Sequence, residues 1–281
     1  MDLYSIQDDY VQKYMSLMTK SQEVKKLFGD HEPGDITVST ITMIVDFNTN
    51  INLENFNKNF KHPEEEVVLW TIELSKRRKK ADPNGPEKST FYNQTTLRFK
   101  DVTQKSIKIF RNGRLQMTGI TSMMDGIDVA MRVGKTLRNT EGATSSNLSI
   151  KDVKIGMINT NFSLKMGLNL QILQKLLTEN DINAIYDPDV YPGLKVELMP
   201  TGKVFIFGTG KVVITGAKDL TFIQDAYVRL HELLAENWNI VKAPMHTREK
   251  EKDMKRERIV HGYPKSQFES ANIRNFVAII P

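Results

Sequence analysis

Apolar residues along this chain keep two rhythms, and the succession of rhythms occurs twice. "ITVSTITMIVDF" (36–47) and "VKIGMINTNFSL" (153–164) are rich in β-formers at alternate positions, which predicts a half-buried strand in each. The segments that follow, "NLENFNKNF" (52–60) and "GLNLQILQKLL" (167–177), space their apolar residues three and four apart, as one face of a helix requires. Farther along, Phe222, Ile223, Ala226, Tyr227, Leu230, Leu233 and Leu234 form a well-kept helical stripe. Ile127, Ala130, Met131 and Leu137 form a weaker one.

Each long stripe follows a glycine-bearing stretch. "FGTGKVVITG" (207–216) has the look of a phosphate-binding loop, but such a cradle needs its glycines to open a helix. Here "KVFIF" precedes the glycines and "KVVIT" follows, so the stretch is a hairpin between two strands. "FRNGRLQMTG" (110–119) repeats its layout: Phe, two residues, Gly, a basic residue, three more, then Thr-Gly. The unit is therefore strand, helix, several antiparallel strands and a long helix, present in two copies.

The copies lie 117 residues apart at their first strands (Val38 to Ile155) and 97 apart at their hairpins (Gly119 to Gly216). The first copy thus holds about 20 extra residues within "KHPEEEVVLWTIELSKRRKKADPNGPEKST" (61–90), a stretch of charge runs and proline breaks with little strand character. The expected organisation is an N-terminal extension (1–33), a first repeat (34–140) with an insertion near 61–90, a second repeat (149–240) and a C-terminal extension (244–281). A helix is expected in the first extension through Tyr10, Tyr14, Leu17 and Met18. "REKEKDMKRER" in the last reads as a solvated helix or linker.

Composition narrows the function. The absence of cysteine excludes disulfides, thiol catalysis and cysteine-based zinc sites. No apolar run approaches the ~20 residues of a membrane span, and "MDLYSIQDDYVQKYM" lacks the pattern of a secretory signal. A reducing compartment is the expectation. The five histidines show no ligand spacing, and no triad or paired carboxylates appear, which argues against an enzyme, a metal site or a cofactor. A net charge of +5 leans towards anionic partners. "KRRKK" (76–80) reads as a nuclear-import signal, a phosphate-binding extension or a solvated loop.

The hairpins and their surroundings resemble the TATA-box-binding protein family. "YDPDVYPGL" (186–194) and "VFIFGTGKVVITGAK" (204–218) carry the closer match, in the right order within a duplicated unit. "VSTIT" (38–42), "IFRNGRLQMTG" (109–119) and "GMINTNF" (156–162) match more loosely. The resemblance implies an α+β fold: a pseudo-two-fold saddle, with a curved antiparallel β-sheet and helices on its convex face. It also implies a transcription initiation factor that binds A/T-rich promoter DNA in the minor groove and bends it, working with a B-type general initiation factor and RNA polymerase. The implied setting is the nucleus or, for a member from a large DNA virus, a cytoplasmic virus factory or the virion.

Residue by residue, Phe110, Phe207, Tyr191 and one of Phe91 or Tyr92 match the wedges that enter between base steps. Val38, Thr40, Gln116, Thr118, Ile155, Phe205, Val213 and Thr215 match the saddle floor. Arg114, Lys211 and Lys218 match phosphate-contacting bases. Asp187, Asp189 and Val190 match the stirrup that meets the B-type factor. Departures accompany these matches. The family's asparagines in the first strand of each repeat are replaced by Ile36 and Val153, a valine by Gln116, a leucine by Lys108 and a lysine by Thr121. The expectation is a floor without base-edge bonds at its centre, and a preferred site looser than a standard TATA box. Two rivals remain: a protein-interaction module that kept the saddle but lost DNA bending, and a nucleic-acid-binding accessory of a nuclease or glycosylase.

Overall fold

A computed structural model of the chain describes residues 3–61, 71–74, 93–101, 103–144 and 147–244. They form two compact units. The first comprises the N-terminal segment to Lys20, Thr37–Thr160 and Thr215–Asp225; the second comprises Ser21–Ile36, Asn161–Ile214 and the segment from Ala226.

Helix α1 (Leu3–Lys25) opens the chain, as its apolar spacing predicts, with Leu17 fully buried and Tyr10 stacked on Tyr14. In the first unit it is tied down from afar: Lys13 pairs with Asp219 at 2.7 Å and Ser16 bonds Gln224 at 2.8 Å. Strand β1 (Thr37–Phe47) leads to a short helix α2 (Leu53–Asn59). Asn52 caps that helix by accepting from the backbone of Glu54 and Asn55. Strands β2 (Thr71–Leu74), β3 (Gln94–Lys100), β4 (Gln104–Phe110) and β5 (Arg114–Ile120) follow, then helix α3 (Met123–Asn139) and strand β6 (Ile150–Ser163). The strand order in this unit is β2-β3-β4-β5-β1-β6.

Strand β2 corrects the reading of 61–90 as poor in strand. Thr71 to Leu74 pair antiparallel with Lys100 to Leu97, and Ile72 is fully buried. The rest of the insertion, "KRRKK" included, lies outside the described residues except for Lys61, as does the C-terminal extension beyond Pro244.

Alternation decides which way each strand faces. Ile41, Met43, Val45 and Phe47 of β1 enter one apolar core with Leu97, Ile107, Ile109, Leu115 and Met117, and with Val129, Ala130, Val133 and Leu137 of α3. Each of these side chains larger than alanine is worth ~1.5–3 kcal/mol when fully buried. Helix α3 covers this face alone, because its charged residues fill the opposite side. Its start is fixed by Ser122, which accepts from Asp125 N–H at 3.1 Å, while Asp125 accepts from Thr121.

The second unit has β7 (Gly167–Leu168), helix α4 (Leu170–Glu179) capped by Asn169, and strands β8 (Ala184–Ile185), β9 (Gly193–Val196), β10 (Lys203–Phe207) and β11 (Lys211–Ala217). The long helix α5 (Leu220–Glu236), a short α6 (Trp238–Val241) and strand β12 (Lys242–Ala243) complete it. Strand order is β6-β11-β10-β9-β8, and β12 pairs with β7. Phe162, Tyr227 and His231 pack as an aromatic cluster, joined by Phe28 and Trp238. His231 is fully buried, and its Nδ1–H donates to the Tyr227 carbonyl oxygen at 2.8 Å. Burial holds its pKa down to about 4.

The duplication extends to single hydrogen bonds. Phe47 N–H donates to Gly113 O in one copy and Leu164 N–H to Gly210 O in the other; Ile51 N–H donates to Arg111 O, and Leu168 N–H to Gly208 O. The capping residues Asn52 and Asn169 hold matching places, 117 residues apart. Among the described residues no helix is long and apolar enough to cross a membrane.

Candidate nucleic-acid interface

Each hairpin is closed by a glycine that no other residue can replace. Gly113 (φ +82°) and Gly210 (φ +78°) both adopt the left-handed region, and a Cβ there would overlap the carbonyl oxygen of Thr49 or Met166. The turns close with Gly113 N–H to Phe110 O at 3.1 Å and Gly210 N–H to Phe207 O at 2.8 Å. The Thr-Gly ending each motif also has a shared cause. Gly119 (φ +83°) and Gly216 (φ +86°) have positive φ, and the β1–β5 register shifts by one residue at Gly119, a β-bulge. In the first copy the sequence pattern encodes turn and bulge together.

In the second unit the hairpin sets out an aromatic group. Val204 and Ile206 are fully buried, so Phe205 and Phe207 stand on the opposite side, half-buried. Tyr191 packs edge-on to both, at 5.6 Å from Phe205 and 6.0 Å from Phe207 between ring centres. Gly193 lies opposite Phe207 in the β9–β10 register, and a Cβ there would come within 2.8–3.0 Å of Tyr191 and Phe207. Its missing side chain makes room for the two rings. Burial raises the Tyr191 pKa. Val213 is half-buried.

In the first unit Phe110 ends β4, half-buried, opposite Gln94. Phe91 and Tyr92 lie outside the described residues. Val38 and Ile155 are half-buried and pack against the edge of the core. Gln116 is half-buried beside Ile44 and Lys108. Thr118 is exposed, its hydroxyl 3.4 Å from Ser106 O.

Three expectations change. Ile36 and Val153 are 1% and 4% exposed, so neither belongs to an open floor, and their apolar character does not decide what is read there. Thr215 is only 8% exposed, and its hydroxyl bonds Asn159 Oδ1 instead of facing solvent. Asn159, which the sequence reading passed over, is the polar centre of this region. It lies between the buried Ile158 and Thr160, and its Nδ2 donates to Thr40 Oγ1 at 2.9 Å. The signal in the sequence was its place in the alternation of β6, on the same side as Ile155 and Met157.

The basic residues also divide. Arg114 is exposed but engaged: its Nε donates to Asp46 Oδ1 at 2.8 Å, and this bond raises the guanidinium pKa. Asp152 and Lys154 form a neighbouring pair. Lys211 and Lys218 are exposed and make no ion pair among the described residues. At the stirrup Asp187, Asp189 and Val190 are exposed. Tyr191 N–H donates to Asp187 O at 2.8 Å and Asp189 N–H to Asp187 Oδ1 at 3.1 Å, which forms a tight acidic turn.

Comparison with known proteins agrees with the fold. A family model described as transcription factor TFIID, or TATA-binding protein, matches residues 152–237. A TATA-box-binding protein-like protein of Acanthamoeba polyphaga mimivirus is 30% identical, over 78% of this chain and 70% of its own. The structure of Methanococcus jannaschii TBP superimposes with a TM-score of 0.53, at 21% identity, over 72% of this chain and 99% of its own. The fold is thus a large antiparallel sheet with helices, of the class built by TATA-binding proteins. The chain belongs to the TATA-box-binding protein family as a divergent member. That family comprises DNA-binding transcription factors, not enzymes.

Proposed function

We propose that this family member is a transcription initiation factor that binds A/T-rich promoter DNA in the minor groove, bends it, and recruits a B-type initiation factor and RNA polymerase. The observation that carries the reading is the matched pair of hairpins. Each holds a phenylalanine, Phe110 or Phe207, half-exposed on the face away from its core, at a glycine turn with the same hydrogen bonds.

An apolar ring at the end of a strand can enter between two base pairs and unstack them, which opens a kink towards the major groove. Phe207 packs against Tyr191, which in turn packs against Phe205, so less side-chain freedom remains to be lost on binding. Lys211 and Lys218 would neutralise phosphates beside the kink and set the register without reading sequence. The exposed Asp187, Asp189 and Val190 offer the B-type factor two carboxylates and an apolar contact. The viral relative supports a viral transcription setting, in a cytoplasmic virus factory or the virion, over the nucleus.

A short A·T-rich duplex labelled at both ends tests the bend: energy transfer between the ends should rise on saturation. Binding with no change in transfer for any A·T-rich site would remove bending from the reading. One observation favours the interaction-module rival. Arg114 already has a carboxylate partner, which weakens the first hairpin as a phosphate contact. Affinity that is insensitive to salt, together with tight binding of the B-type factor, would select that rival.

A further inference from the structure

The second unit carries aromatic rings and lysines on one face of its strands. Phe205 and Phe207 alternate with the fully buried Val204 and Ile206, so both rings point away from the core. Lys211 and Val213 alternate with the buried Val212 and Ile214 and leave the core on the same side. Lys195 stands directly opposite Phe205 in the β9–β10 register, and opposed residues of an antiparallel pair point the same way. Beyond Lys195 the register continues to Ile185 of β8, which is 53% exposed. We propose that this face binds single-stranded nucleic acid, with unpaired bases stacked on Tyr191, Phe205 and Phe207 and the backbone held by Lys195 and Lys211. The proposal goes beyond duplex bending and does not depend on it.

Ring geometry leaves room for such a ligand. Tyr191 stands at 74° to Phe205 and 62° to Phe207, so the rings do not cover one another face to face. All three are half-buried, which keeps aromatic surface open to solvent. Every base has a flat π face that can lie on such a ring, whatever its sequence. In a duplex those faces are already stacked, and a ring must first part them at a cost. An unpaired strand offers them without that cost.

Charge points to the same occupant. Glu197 is engaged with Lys203 and accepts from Asn183 Nδ2 at 3.0 Å, so this carboxylate and its lysine largely cancel. Lys195 and Lys211 make no salt bridge among the described residues, and they flank the rings on two sides. An uncharged apolar peptide would cover the rings and leave both ammonium groups without an anion. A phosphate backbone supplies one at each nucleotide. The first copy lacks this combination: the residue 97 positions before Phe205 is Lys108, set between Thr96 and Gln116.

The test compares binding of the full chain to a short labelled oligothymidylate and to an abasic strand of equal length. The two have the same backbone charge, and bases are present in the first alone. The strand with bases should bind roughly tenfold more tightly, the worth of about one stacked base. Phe205→Leu should remove most of that ratio and leave the abasic strand bound as before, while Phe205→Tyr should keep the ratio. Lys195→Ala should weaken both strands alike. An oligouridylate arm separates the two sources of such a strand: tighter binding than oligothymidylate assigns RNA, weaker binding assigns single-stranded DNA. Equal affinity for the thymidylate and abasic strands, or a ratio untouched by Phe205→Leu, would overturn the stacking assignment. No duplex enters these measurements, so the bending reading stands or falls on its own experiment.

Discussion

The two hairpins have the same backbone and different chemistry. Around Gly113 and Gly210 the turns, the positive φ and the bonds to the first strand agree bond for bond. Yet the first presents a Phe110 with no aromatic neighbour among the described residues and an arginine bound to Asp46. The second presents Phe207 packed against Tyr191, and a lysine without an ion pair among the described residues. The cores beneath differ in the same manner. Where the second unit has Phe162, Tyr227 and His231, the corresponding residues of the first are Val45, Ala130 and Gly134. A Cβ on Gly134 would already come 3.2 Å from Leu148 and 3.4 Å from Phe47. A duplicated chain keeps what its backbone requires and is free to diverge where only side chains are concerned.

The strongest way to probe the shared part is Gly113→Ala beside Gly210→Ala. Each forces a Cβ into a carbonyl oxygen at positive φ, so each should lose on the order of 3–4 kcal/mol in urea unfolding. A tolerated substitution at one site only would break the equivalence of the turns.

The unshared part should appear with acid. His231 has its pKa held at about 4, below the ordinary 6.5, so the unfolded chain takes up a proton that the folded chain refuses. Stability is full above pH 6.5, falls by about 3 kcal/mol as pH drops to about 4, and then levels off for this group. Hydrogen exchange should accelerate in α5 and β10 before it does in β4 and β5. His231→Leu should flatten the slope, and equal acceleration in both units would dissociate it from His231.

On DNA, Phe207→Ala should reduce end-to-end energy transfer more than Phe110→Ala, since among the described residues Phe207 has an aromatic neighbour, Tyr191, and Phe110 has none; equal losses would mean that bracing is irrelevant. The smallest difference is expected in salt dependence. Lys211→Ala should lower the slope of log affinity against log salt by ~0.9. Arg114→Ala should lower it less, and Asp46→Asn should raise it by freeing the guanidinium. Equal slopes for Lys211→Ala and Arg114→Ala would show that Asp46 releases its partner when a phosphate arrives.

What could be read from the sequence was what repeats locally. The alternation of β1 and β6, the stripes of α3 and α5, and the paired glycines each follow from neighbours a few residues apart. Missed features depend on pairing at long range. Asp46 and Arg114 are 68 residues apart, and Asn159 and Thr40 are 119 apart. Strand β2 was hidden because "TIEL" is short and bounded by charge runs, and it is recognisable only beside β3. Matching Ile36 and Val153 by motif placed them on a floor that alternation alone could not verify, since burial depends on what packs behind them.

The contacts that hold α1 have a consequence for how the chain is made. Lys13 finds Asp219 only after 206 further residues have been added. At ~10 residues per second that is roughly twenty seconds of synthesis. Through that interval the helix leaves the ribosome with Leu17 and its neighbours uncovered, and the first unit still lacks the segment Thr215–Asp225. The first unit is thus begun first but completed only once Asp225 has been made. A nascent chain released early, or cut after the first repeat, would expose the apolar side of α1 to any chaperone or stray sheet edge within reach.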